Sequence, residues 1–120
     1  MGLPKESFFL PMRLYYVTLN SVDEARTIGK ALLEHQLAVC VNWFPITCLY
    51  RWEGTITEEP EVVLIIKTHA GLYEAIVHLM EQHITYTHFI GQFSPESVNS
   101  AFLHWLNQEI PHPPTGKGGN

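Results

Sequence analysis

The spacing of apolar residues changes repeatedly along the chain, and each change marks an element. Arg13 to Leu19 (RLYYVTL) is rich in aromatic and β-branched residues, the composition of a strand. Ser21-Val22-Asp23-Glu24 follows, a serine with an acid three positions on, which is the pattern of a capping box. Val22, Ala25, Ile28, Leu32 and Leu33 then recur at helical spacing as far as Gln36. Gly29 inside this stretch lets the helix approach a sheet closely. Ala38 to Phe44 reads as a second strand. Pro45 has no N–H to give a ladder, so a bend or bulge is expected there, with pairing resumed from Thr47 to Trp52. Glu53-Gly54 supplies a turn and Thr55 to Pro60 an exposed linker. Glu61 to Thr68 (EVVLIIKT) is apolar on both parities, as in a central strand covered on both faces. Leu72, Ala75, Ile76, Leu79 and Met80 stripe a second helix that ends near His83, and Thr87 to Phe93 alternates loosely as a fourth strand. Ser94-Pro95-Glu96 has the chemistry of a helix start, and Val98, Ala101, Phe102 and Trp105 give that helix its inner face.

The order β-α-β-β-α-β plus a C-terminal helix predicts an α+β, ferredoxin-like split βαβ domain. Two helices would cover one face of an antiparallel sheet. Little chain remains for the other face, and self-association is the simplest cover. Residues 1–11, broken by Pro4 and Pro11, read as an N-terminal extension, 12–110 as the domain, and 111–120 as a flexible Pro- and Gly-rich tail.

Composition narrows the function classes. The 120 residues carry a formal charge of −5, which argues against nucleic acid as a partner, because phosphate neutralisation needs clustered Lys and Arg. No apolar run approaches the roughly 20 residues of a membrane helix, and no secretory leader is recognisable, so a cytoplasmic protein without a membrane partner is expected. Seven histidines and two cysteines raise the question of metal. Their spacing does not answer it: there is no Cys-x-x-Cys and no His-x-x-x-His. Motifs for phosphate loops, dinucleotide turns and nucleophile elbows are also missing, and no enzyme is expected.

Three stretches then carry a resemblance. Leu37-Ala38-Val39-Cys40-Val41-Asn42, Tyr50-Arg51-Trp52-Glu53-Gly54-Thr55-Ile56 and Leu64-Ile65-Ile66-Lys67-Thr68 resemble, in order and spacing, the signature blocks of the divalent-cation tolerance proteins, the CutA family. Asn99 to Leu106 resembles that family's final helix. The resemblance implies a homotrimer similar in architecture to PII-type signalling proteins, with Ala38 to Thr68 as a long bent hairpin reaching neighbouring subunits. It also implies binding of copper or another divalent cation. Two departures stand out. Ile46 follows Pro45 where the family has glycine. The family's histidine–proline–tyrosine–glutamate stretch is matched only at His83, not at Ile84, Thr85, Tyr86, His88 or Phe89.

On that footing the candidate metal ligands are Cys40 and His83. Thiolate suits Cu(I) and imidazole suits Cu(II), while a packed core thiol and a surface histidine are the plainer alternatives. Cys48 shares strand parity with Cys40 but lies across Pro45. Tyr50, Trp52 and Lys67 are binding or interface candidates: the aromatics as subunit packing or a pocket wall, the lysine as an anchor for an anion. Two functional readings result. One is a cytoplasmic homotrimeric copper or divalent-cation tolerance protein acting in metal response. The other is a trimeric sensor of a small ligand or protein partner, with incidental metal binding.

Overall fold

The computed structural model describes residues 12–86 and 88–111. In chain order they form β1 (Met12–Leu19), α1 (Val22–Glu34), β2 (Cys40–Trp52), β3 (Thr55–His69), α2 (Tyr73–His83), β4 (Ile90–Phe93) and α3 (Ser100–Glu109). The strands make one antiparallel sheet in the order β2-β3-β1-β4. The expected ferredoxin-like order is therefore present. The expected N-terminal extension, Thr87 and residues 112–120 lie outside the described residues.

Register decides which side chains share a face. On β3, Ile66, Leu64 and Val62 stand beside Tyr15, Val17 and Leu19 of β1. They pack with Ala25, Ile28 and Leu32 of α1 and Ile76, Leu79 and Met80 of α2 in one continuous core. Gly29 makes the close contact possible: a Cβ there would stand 2.9 Å from Val41 Cγ2. The opposite face carries Met12, Leu14, Cys40 and Lys67, and α3 lies on this end of it through Leu106, Ile110 and Phe102. Fully buried His69 ties α3 down, because its Nε2–H donates to the Ile110 carbonyl at 2.6 Å. The rest of this face is partly open, with Phe44 44% and Phe93 51% exposed.

Val62 is the last β3 residue paired on both sides, to Leu19 and to Pro45. Beyond it, Ile46–Trp52 and Thr55–Glu61 pair only with each other, as a two-stranded ribbon. Those residue pairs at ~3.3 Å each carry it roughly 23 Å past the sheet. Leu49, Trp52 and Ile56 on the ribbon are 68%, 52% and 64% exposed.

Three sequence expectations need correction. Pro45 causes no bulge: every residue from Cys40 to Trp52 has one partner in unbroken register. β2 is an outer strand, where a missing N–H need not break the ladder. Thr55 to Pro60 is strand, not linker, because Glu53 (φ 51°) and Gly54 (φ 82°) close a two-residue turn between Trp52 and Thr55. Finally, α3 starts at Ser100 rather than at Ser94. Residues 94–99 carry the chain from β4 to the opposite face of the sheet, and this path overrides the capping signal.

Candidate functional site

The start of α1 organises one end of the molecule. Ser21 Oγ accepts the Glu24 N–H at 3.1 Å, the forward half of the capping box. The Glu24 carboxylate turns back and accepts the Asn20 N–H at 2.9 Å. It also accepts the Tyr86 hydroxyl at 2.5 Å, while that hydroxyl receives the Asn20 N–H at 3.1 Å. Tyr86 sits just beyond the C-terminal end of α2, held by buried Ile84. The triad Asn20–Glu24–Tyr86 therefore welds the exit of α2 to the entry of α1. Partial burial and then the bond to Glu24 push the Tyr86 phenol well above its ordinary range.

Two pockets flank this weld. The smaller, about 210 Å³, is lined by Asp23, Glu24, Thr27, Ile28 and His83. His83 Nδ1–H donates to the Leu79 carbonyl at 3.0 Å, which leaves Nε2 as the nitrogen with a lone pair. The larger, about 510 Å³, is lined by Asn20 and Tyr86 and, from the ribbon, by Tyr50, Arg51, Trp52, Thr57, Glu59 and Glu61. Tyr50 hydroxyl donates to Glu59 Oε1 at 3.0 Å, and that bond leads the causes that raise the Tyr50 phenol. Partial burial, then the Glu61 and Glu59 carboxylates, push the Cys48 thiol up, so it stays protonated near neutrality. The smaller pocket is acidic, with Asp23 and Glu24 beside His83, whereas the larger combines the aromatic Tyr50, Trp52 and Tyr86 with both the Glu59 and Glu61 carboxylates and the Arg51 guanidinium.

Tyr50 and Trp52 thus share a pocket, and His83 stands beside it, across the Glu24–Tyr86 bond. Cys40 and Lys67 are elsewhere. They pair directly across β2 and β3 under α3. Cys40 Sγ lies 4.0 Å from Asn42 Oδ1, and Lys67 Nζ lies 5.9 Å from the centre of the Phe102 ring. Cys40 lines neither of the two pockets beside Glu24, and His83 lines only the smaller. Among the described residues, no three His, Cys, Asp or Glu side chains converge to hold a metal ion. Sequence reasoning missed Glu24 and Tyr86 as site residues. Glu24 was visible as a capping residue, and Tyr86 as a departure from the family stretch after His83.

The split βαβ sheet with its protruding hairpin defines a ferredoxin-like protein, and the blocks Leu37–Asn42, Tyr50–Ile56 and Leu64–Thr68 on that hairpin mark it as one of the divalent-ion tolerance class. The chain belongs to the CutA1 divalent ion tolerance protein family, whose model matches residues 13–109. The CutA protein of Mus musculus is 35% identical over 95 residues, spanning 78% of this chain and 54% of the mouse protein. The divalent-cation tolerance protein CutA of Thermus thermophilus is 35% identical over 100 residues, 77% of this chain and 91% of that protein. Among solved structures, the periplasmic divalent cation tolerance protein CutA of Archaeoglobus fulgidus superposes with a TM-score of 0.79 at 33% identity, covering 82% of this chain and 98% of that one. CutA1 of Oryza sativa gives 0.80 at 27% identity, covering 86% and 96%. The family and the Thermus thermophilus and Archaeoglobus fulgidus proteins are named for tolerance of divalent ions or cations rather than for a reaction. No helix among the described residues is long and apolar enough to cross a membrane.

Proposed function

We propose that this chain works as a homotrimeric, non-enzymatic divalent-cation tolerance protein of the cytoplasm, binding copper or another divalent cation and taking part in metal response. The observation that carries this reading is the separation of the candidate ligands. Cys40 lies under α3 and His83 at the far end of α2 beside Asp23 and Glu24, and among the described residues no three His, Cys, Asp or Glu side chains converge around either. A site of useful coordination number then needs ligands from more than one subunit. The open part of the sheet face and the apolar tips of the ribbon supply surface for such an assembly. Isothermal titration with Cu(II), and with Cu(I) under reductant, on wild type, Cys40→Ala and His83→Ala tests the metal part. Loss of the tight phase in Cys40→Ala or His83→Ala supports the assignment, and identical weak binding by all three overturns it. Sedimentation at micromolar protomer tests the assembly, and a monomer refutes the trimer.

The Tyr50–Trp52–Tyr86 pocket favours a second reading, in which the trimer senses a small molecule or a partner's tail. A thermal-shift screen of metabolites separates the two readings, since stabilisation by metals alone rejects the second.

A further inference from the structure

A third pocket, of about 320 Å³, lies under the start of α3, away from both pockets beside Glu24. Leu14, Val98 and Phe102 form its apolar wall, and Lys67, Ser97 and Asn99 bring the polar groups. No carboxylate is among the residues lining it. Lys67 is partly buried, between fully buried Ile66 and Thr68 on its strand. Its ammonium makes no ion pair with any described carboxylate and lies 5.9 Å from the centre of the Phe102 ring. The face of one aromatic ring is a weak electrostatic partner, so an anion entering the pocket meets a cation that no described carboxylate neutralises.

We propose that this pocket binds a small organic carboxylate, its oxygens on the Lys67 ammonium and its hydrocarbon body against Phe102, Val98 and Leu14. The charge count selects the ligand class. A single ammonium balances a monoanion, whereas phosphate esters are usually met by several cations or a bidentate arginine. The volume is near the low end for small-molecule sites and suits a body about the size of one ring. This site goes beyond the metal reading and does not depend on it.

The full-length protein, labelled with ¹⁵N and kept in chelator, is titrated with phenylacetate and with the neutral phenylacetamide. Saturable amide shifts are expected at Lys67 and from Ser97 to Phe102. Phenylacetate should bind at least about tenfold more tightly than the amide, the scale of a hydrogen bond to a charged group. Lys67→Gln should abolish that preference and Lys67→Arg should keep it. The comparison of acid and amide on the wild type needs no variant, so it stands even if Lys67→Gln folds poorly. No saturable shift up to about 10 mM, well past a millimolar dissociation constant, overturns the proposal. So do equal affinities for acid and amide, shifts confined to the Tyr50–Trp52 end, or an unchanged preference in a folded Lys67→Gln.

Discussion

Tyr86→Phe tests whether the weld between α1 and α2 holds the acidic end together. The substitution deletes one hydroxyl and leaves the ring. Glu24 loses the 2.5 Å bond from Tyr86 but keeps the one from the Asn20 N–H, and Asn20 keeps Glu24 as acceptor. No donor is orphaned, so the cost falls at the low end of the ~1.5–3 kcal/mol range for bonds to charged groups, about 1.5 kcal/mol. Urea unfolding followed by circular dichroism, at one fixed protomer concentration, measures it as a lower midpoint with an unchanged slope. The pH dependence supplies a second readout. In the folded protein the Tyr86 phenol keeps its proton above the ordinary value of about 10, where the unfolded chain releases it. Its contribution is complete below about pH 10 and is lost as pH rises. Tyr15, raised to about 12 mainly by burial, acts in the same sense. Wild type should therefore lose stability above pH 10 more steeply than Tyr86→Phe. A change below about 0.3 kcal/mol at pH 7.5, typical of a surface substitution, together with parallel curves above pH 10, would refute the weld.

Gly29→Ala should destabilise by about 1 kcal/mol, because the strain of pressing a methyl into Val41 at 2.9 Å exceeds the helix propensity gained; denaturant midpoints decide the sign. Glu53→Asn should raise the thermal midpoint by a few degrees, since asparagine tolerates the left-handed φ of 51° that glutamate now holds, at a saving of roughly 0.5 kcal/mol. Leu106→Ala removes the fully buried anchor of α3 and should cost about 2–5 kcal/mol. Hydrogen exchange should then be fastest along α3, and a uniform rise across the sheet would contradict a local role.

Periodicity was enough to read the elements that bury one regular face. The stripe Ala25–Ile28–Leu32 and the run Val62–Ile66 repeat at the periods of a helix and a covered strand, and both lie where expected. The reading failed where a long-range partner overrides a local preference. Pro45 signals a broken strand, yet its place on an outer strand lets the ladder continue. Ser94-Pro95 signals a helix, yet the chain is still crossing to the other face of the sheet. The same limit applies to the site. Tyr50 and Trp52 were visible as a pair because they are two residues apart in one strand. The partnership of Glu24 with Tyr86, 62 positions apart, belongs to the packing of α1 on α2 and leaves no local pattern. Cys40 and His83, both taken from a family pattern, lie in different neighbourhoods of one chain, which sequence spacing did not indicate.

One strand of this protein should keep two clocks. β3 runs without a break from Thr55 to His69, but only its part from Val62 to Lys67 has a strand on each side. A two-stranded ribbon in water is marginal by itself, and its amides open at a fraction of the free energy that opens the sheet core. In an isolated chain, exchange lifetimes along β3 should therefore fall sharply on passing from Val62 towards Thr55. Packing against other chains would lengthen the ribbon lifetimes and leave those of the core nearly unchanged. The ratio of the two lifetimes, read along one continuous strand, then reports how far association has gone, with each molecule supplying its own reference.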